Sequence, residues 1–282
     1  MLKFARPVFI KLGLFLSALL LSASISADAS QAGGEALLEM AKTKRAPRYE
    51  YAMQNHAEIG YTADGKSFYL FWAPENYSPE TTPVIVTIHG HDGWAVEDFY
   101  VWHSILKERG YAMLAVQWWL GEGESIKDYL TPQEIYRVID DVFQKKRIQA
   151  PALLHGFSRG STNTYALAAM DVSTGHHYFK LFIANAGKAN SNYPPTAAIE
   201  KGQFGENPLG GTRWITYAGG QDTNPDRDGI PGMRQAGEWI ERYGGKVVLA
   251  IEDPNSGHGG FHRNPDNTNK ALDEFEKIRY TL

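Results

Sequence analysis

From about residue 67 to the C-terminus, short β-prone runs alternate with amphipathic helical segments, and this alternation leaves the chain few ways to bury its apolar surface. Strands joined through helices run parallel, and a parallel sheet needs helices on both of its faces. Ser67–Trp72 reads as a strand closed by Pro74, and the continuous run Val84–Ile88 as a strand buried on both sides, ended by Gly90 and Gly93. Between Glu97 and Arg109 the apolar residues keep helical spacing until Gly110 supplies a stop. Tyr111–Trp119 is the next expected strand. Thr131-Pro132-Gln133-Glu134 is a helix start, because Thr caps, Pro fits the first turn and Glu three residues on completes a capping box. Further strands are expected at Ala152–Leu154, Leu181–Asn185, Trp214–Ala218 and Val247–Ile251. Further helices are expected at Ser161–Met170, Met233–Tyr243 and Lys270–Ile278. With no internal repeat or long linker, the expectation is one α/β domain over 61–282 with a mostly parallel sheet. A Pro/Gly-rich insertion at 188–212 is placed to act as a short cap.

The first residues read as an address rather than as structure. Lys3, Arg6 and Lys11 precede or open the apolar run Leu12–Leu21, and small residues follow around Ala27 and Ala29, the three-part layout of a secretory signal peptide over residues 1–29. Ten apolar residues are about half of the roughly 20 that span a bilayer as a helix, so no stable membrane anchor is expected. Cleavage after Ala29 satisfies the A-x-A pattern, whereas cleavage after Ala27 would put Ile25 at the −3 position; both stay open. Residues 30–60 are expected to form a polar leader, ending near Arg45, and a first strand region. An exported chain is free to use disulfides, but this one has no cysteine and must be held by its core. The expected location is secreted or periplasmic.

Composition is needed for two exclusions. A hydrophobic share of 43% supplies enough apolar surface for a large core and excludes intrinsic disorder. The net charge of −4, more negative still without the basic leader, gives no electrostatic footprint for nucleic acid.

The chemistry is carried by His155-Gly156-Phe157-Ser158-Arg159-Gly160. It follows an expected strand and precedes an expected helix, the context in which G-x-S-x-G makes a sharp turn that lifts a serine above the sheet edge. A serine hydroxyl is a poor nucleophile at neutral pH, so a base must take its proton and a carboxylate must orient that base. Asp222 follows the strand Trp214–Ala218, and His258 lies among small residues after Val247–Ile251, giving the chain order Ser158, Asp222, His258. Asp226, Asp228 and Asp253 compete as the acid, and His262 as the base. Negative charge on a reacting carbonyl oxygen needs two fixed donors. The backbone N–H groups of Arg159 and His91 are the candidates, with His89, His91 and Asp92 read as a hydrogen-bonded loop shaping the pocket. Asp222, Asn224, Asp226 and Asp228 before Gly229 also resemble a calcium loop, but position twelve is Gln235 and no helix leads in, so a solvated turn is expected and no metal is assigned. His176 and His177 fall in an expected surface turn.

With strand, turn, acid and histidine in this order, the stretch from about Tyr61 onward resembles the α/β-hydrolase superfamily. Lys66–Pro74 followed by Ile88-His89-Gly90 resembles its secreted esterases of the polyhydroxybutyrate depolymerase, feruloyl esterase and acetylxylan esterase type. Depolymerases often carry a cysteine after the His-Gly pair, where this chain has His91. That departure bears on a polymer substrate and not on the triad. The resemblance implies a cofactor-free serine hydrolase cleaving carboxylic esters through an acyl-enzyme, on a small-molecule or polymer-derived ester. A serine peptidase or amidase on the same fold is the alternative, and a non-catalytic binding protein a further one. Trp94, Trp118 and Trp119, with Tyr193, Pro194, Pro195 and Phe204 of the insertion, are expected to wall an aromatic or acyl pocket.

Overall fold

The computed structural model describes residues 33–280; the leader and both candidate cleavage sites lie outside the described residues. Eight strands form one sheet: β1 (Glu58–Tyr61), β2 (Phe68–Trp72), β3 (Val84–Ile88), β4 (Ala112–Val116), β5 (Ala152–Phe157), β6 (Phe179–Asn185), β7 (Arg213–Gly219) and β8 (Lys246–Asp253). Their order is β1-β2-β4-β3-β5-β6-β7-β8. β1 and β2 pair antiparallel at one edge, β2 joins β4 antiparallel, and every other pairing is parallel. The central strands β2 to β4 are buried at every position, the pattern of a sheet covered on both faces.

The connections explain the covering. Helix α3 (Ala95–Arg109) leads from β3 outward to β4, whereas α4 (Pro132–Lys146) leads from β4 back across β3 to β5. Parallel crossovers are right-handed, so reversing the direction of travel puts the two helices on opposite faces. The helices α5 (Arg159–Thr174) and α7 (Ile230–Arg242) continue in the direction of α4. Short α6 (Pro194–Glu200) and α8 (Gly260–Arg263) and the closing α9 (Pro265–Ile278) complete the set beyond β6. The reversal at β3 opens a crevice outside the carboxyl ends of β3 and β5, where open α/β sheets bind ligands.

Two expectations are corrected. The polar leader is helical through 33–44, here α1, and is followed by α2 (Ala46–Gln54). Leu37, Leu38 and Ala41 lie on one side of α1 and are buried in the core. The expected strand Tyr111–Trp119 stops at Val116: the Gln117 N–H still reaches the Phe68 carbonyl at 3.1 Å, but its buried side chain bonds the chain beyond, Oε1 accepting the Ala95 N–H at 2.8 Å and Nε2 donating to the Trp119 carbonyl at 2.7 Å. The remaining elements fall within a few residues of their expected bounds. No described helix is long and apolar enough to cross a membrane.

The expected capping box at α4 is formed in full. Thr131 Oγ1 accepts the Glu134 N–H at 3.2 Å, and Glu134 Oε2 accepts the Thr131 N–H at 2.8 Å. Thr131→Ala removes the acceptor for an orphan N–H of the first turn. It is expected to lower stability by about 1 kcal/mol in urea unfolding, with no change of fold by circular dichroism.

Candidate active site

At the end of β5 the backbone turns sharply into α5 through Ser158, whose φ of +53° and ψ of −115° lie outside the regions that L-residues favour. The turn exists because nothing but hydrogen fits beside it. A Cβ on Gly156 would come within 2.6 Å of the Gly160 carbonyl oxygen, and one on Gly160 would strike the carbonyl oxygens of Ile88 and His89 at the end of β3. The Ser158 N–H donates to the Asn185 carbonyl at 2.8 Å, tying the turn to the end of β6. Among the described residues the Ser158 hydroxyl has no hydrogen-bond partner, and the helix that begins at Arg159 directs the positive end of its dipole to this point.

A buried polar chain lies beneath the turn. Thr87 Oγ1 donates to Asp98 Oδ2 at 2.7 Å and lies 3.1 Å from His155 Nδ1; His155 Nε2 lies 3.1 Å from Asn185 Nδ2. Because the amide can only donate, Nε2 accepts and Nδ1 carries the proton toward Thr87. Burial holds His155 well below the usual histidine range and pushes Asp98 up to about 7. His155 is therefore a neutral strut between β3, β5 and β6.

The loop after β3 adjoins the serine. A Cβ on Gly90 would stand 3.3 Å from Ser158 Cβ and 3.0 Å from the Phe157 ring. His89 is buried and lowered by desolvation to about 4, so it stays neutral: Nδ1 donates to the Gly90 carbonyl at 2.9 Å and Nε2 accepts the Trp118 N–H at 3.3 Å. The His91 ring is fixed by Tyr129 Oη and Arg159 Nη1, each 3.2 Å from Nδ1, while Nε2 lies 3.2 Å from Asp92 Oδ1. The backbone N–H groups of His91 and Arg159 donate to no other group among the described residues.

His258 and Asp222 meet as expected from their chain order. His258 Nδ1 donates to Asp222 Oδ2 at 2.7 Å, leaving Nε2 without a partner among the described residues. The carboxylate is buried and the imidazole is half-buried. The ring also packs on Phe157, with centroids 5.0 Å apart, which sets it beside the residue that precedes Ser158. The competing base, His262, is half-buried with its ring edge-on against Trp102, and desolvation lowers it to about 3. Of the competing acids, Asp226 is exposed and Asp253 accepts bonds from Asn264, Asn267 and Ser256. Asp228 is the surprise. It is buried, its Oδ2 accepts both Nε and Nη2 of Arg227 at 2.8 and 2.5 Å, and it offers an oxygen within 4.8 Å of ligand atoms on Asp222 and His258.

These three residues, and His91 with Asp92 and Glu124, have spacing that could hold a cation. In the first group Asp222 is engaged by His258 and by the Asn224 N–H, and Asp228 Oδ2 by a guanidinium that supplies positive charge. The Asp222–Asp228 run is a turn whose carboxylates diverge, with Asp226 outward and the other two inward.

A cleft of about 490 Å³ opens at Ser158. Its walls include His91, Arg159, Tyr193, Arg227 and Asp228, with Thr162 and Asn190, and Ile126 as the apolar member. Tyr193 and Asn190 come from the 188–212 insertion. Tyr193 is held by its hydroxyl on Asn163 Oδ1 at 2.6 Å. Ile126 and Tyr193 also border a neighbouring cleft of about 650 Å³. The expected tryptophans are elsewhere. Trp94 is buried against Trp119; Trp118 donates its indole N–H to the His89 carbonyl at 2.9 Å, and Trp119 donates its own to the Gly123 carbonyl at 3.0 Å. All three brace the loops behind the site rather than wall the cleft, Trp118 and Trp119 because each indole finds its partner inside. Of the aromatics expected to wall the pocket, Tyr193 lines this cleft and the three tryptophans do not. Thr162, one turn along α5 from Ser158, was locatable by helical spacing; Arg227 and Asn190 had no local signal.

No family model matches the sequence, and no curated protein matches it. Solved structures do share its fold, which is the α/β-hydrolase fold. An esterase of Pyrobaculum calidifontis superimposes with a TM-score of 0.57 at 14% identity, covering 84% of this chain and 92% of that one. A fungal esterase of Rhizomucor miehei gives 0.60 at 13%, covering 90% and 97%. The esterase Est2 of Thermogutta terrifontis gives 0.56 at 15%, covering 78% and 90%.

The loop carrying His258 is clamped from below by Asp253. Hydrogen bonds from Asn264 and Asn267, with Ser256 and the Asn255 N–H, hold its carboxyl down at about 2. A depressed folded-state value contributes stability that is complete above the unfolded carboxylate range and is lost as pH falls toward 2. Asp253→Asn is expected to cost on the order of 1–2 kcal/mol at neutral pH. In urea unfolding measured from pH 7 down to 2, the gap to wild type should close between about pH 4 and 2.

Proposed function

We propose that the protein is an exported serine hydrolase that cleaves carboxylic esters through an acyl-enzyme and uses no cofactor. The observation that carries this reading is the juxtaposition, at one edge of the sheet, of a strained serine and a histidine bonded to a buried carboxylate. Ser158 sits on the turn between β5 and α5, and His258 donates to Asp222 at 2.7 Å beside Phe157. The esterases among the structural neighbours support the ester specificity, and the leader-like residues 1–29 support export.

The chemistry follows from the partners. As Ser158 Oγ attacks the ester carbonyl carbon, His258 Nε2 takes the hydroxyl proton, and Asp222 holds the imidazole by Nδ1 and stabilises the imidazolium. The backbone N–H groups of Arg159 and His91 would receive the carbonyl oxygen as its C=O electrons move onto it. Collapse of that adduct breaks the bond to the alkoxy oxygen, which leaves as the alcohol with the proton from His258. Water then repeats the cycle: His258 takes one of its protons, the hydroxyl adds to the acyl carbon, and the bond to Ser158 Oγ breaks with return of the proton. One ester and one water give one acid and one alcohol.

A p-nitrophenyl ester series from acetate to long acyl chains tests the reading, with a peptide anilide as counter-substrate. Ester hydrolysis is expected, with kcat reduced at least about 10⁴-fold in Ser158→Ala and His258→Ala. Asp222→Asn is expected to lose on the order of 10⁴-fold with KM nearly unchanged. A fluorophosphonate should label the wild type at Ser158. Cleavage of the anilide alone would favour an amidase, and absence of both turnover and labelling in folded protein would sink the enzymatic reading.

A further inference from the structure

Around the Ser158 cleft the carboxylates are engaged by groups other than Arg159, with Asp92 and Glu124 set on the His91 ring. Asp222 is paired with His258 and Asp228 with Arg227, whereas Arg159 forms no ion pair among the described residues. Its guanidinium is nevertheless held in a fixed plane. Nη1 donates to the Glu124 carbonyl at 2.8 Å and lies 3.2 Å from His91 Nδ1, and the group stacks over the Tyr129 ring with its central carbon 3.9 Å from the centroid. All of these restraints use one nitrogen and one face. The Nε–H and Nη2 donors, which together form the edge that meets a carboxylate in two parallel hydrogen bonds, have no partner among the described residues. Stacking and hydrogen bonding have removed rotamer freedom beforehand, so little of it remains to be lost when a ligand binds. The same side chain lines the cleft with Ser158, and apart from Ile126 the residues lining that cleft are polar or carry a polar tip.

We propose that Arg159 is an anion receptor and that the substrate is an ester carrying a free carboxylate close to the scissile bond. This rests on the esterase reading above and narrows it to a substrate class. Arg227 lines the same cleft but its charge is spent on Asp228, so it does not serve as a second receptor.

Two matched pairs of substrates test the proposal. Mono-p-nitrophenyl glutarate against p-nitrophenyl valerate places the carboxylate on the acyl side; 4-acetoxybenzoate against phenyl acetate places it on the alcohol side. The readout is the ratio of kcat/KM within each pair, for wild type, Arg159→Gln and Arg159→Lys. Wild type is expected to prefer the anionic member of at least one pair by about 10- to 100-fold, the range of a charge-assisted hydrogen bond. Arg159→Gln should collapse that ratio, mainly through KM of the anionic ester. Arg159→Lys should keep part of it, since it holds the charge but not the fork. Whichever pair shows the preference identifies the side of the ester that bears the anion. Equal or better hydrolysis of both neutral esters overturns the proposal while the esterase reading stands, and this arm needs no variant to fold. A preference that persists in folded Arg159→Gln overturns the assignment to Arg159. No turnover of any ester, with Ser158 unlabelled by a fluorophosphonate, overturns both readings together.

Discussion

The structure depends on one strained residue. A non-glycine residue in such a backbone conformation costs on the order of 1–3 kcal/mol and persists only where its surroundings over-determine it. At Ser158 they do so from three sides: the Asn185 carbonyl takes its N–H, the Gly156–Gly160 pair lets α5 start against the carbonyls of β3, and Gly187 lies so close to the Ser158 carbonyl that no Cβ fits there. The contacts come from the ends of β3, β5 and β6, adjacent central strands of a sheet with β4 on its other side. Their combined packing offsets the strain. The same crowding also brings Gly90 and the His91 loop against the serine, so hydroxyl, helix N-terminus and neighbouring loop are set by a single steric solution.

Histidine placement shows a second economy. His89 and His155 are buried and His262 is half-buried, and all three are pushed down by desolvation, so they remain neutral across the pH range in which an ordinary histidine titrates. His89 and His155 spend both ring nitrogens on hydrogen bonds that join strand ends. His258 differs in having a carboxylate on one nitrogen and an open second nitrogen, on a loop held by the Asp253 cluster. That combination, with one side fixed and the other reachable, is what the base role proposed for His258 requires.

Much of this was legible in the sequence because local rules and the global fold agree. Val84–Ile88 is apolar throughout because both of its faces are covered, and the capping box at Thr131 is decided within four residues. Ser158, Asp222 and His258 could be picked out because each follows a strand at the same end of the sheet. The misses have a common cause in long-range competition. Trp118 and Trp119 continue an apolar run, yet the strand ends before them and their indoles find carbonyl partners behind the site. The helical face of Leu37, Leu38 and Ala41 was present in the leader but sits among polar residues that masked it. Arg227 enters the cleft, and Asp228 approaches His258, only because the 222–229 turn folds back, and no residue spacing encodes that return.

The electrostatics of the cleft follow from which charges are already answered. Asp228 is answered by Arg227 and Asp222 by the N–H of the His258 imidazole, whereas the Nε–H and Nη2 edge of Arg159 has no partner among the described residues. Its position in sequence adds a geometric constraint. Arg159 follows Ser158 directly, so its backbone N–H and its guanidinium are separated by the reach of one restrained side chain. If the backbone group meets the reacting carbonyl oxygen, an anion on the guanidinium edge lies a few bonds from the scissile carbon and no farther. A polar cleft with a charge at that separation disfavours a long hydrocarbon chain, whose burial there would strip water from the guanidinium without replacing its hydrogen bonds. It suits a compact acid or alcohol instead, so on the proposed reading the residue after Ser158 limits the size and charge of the substrate.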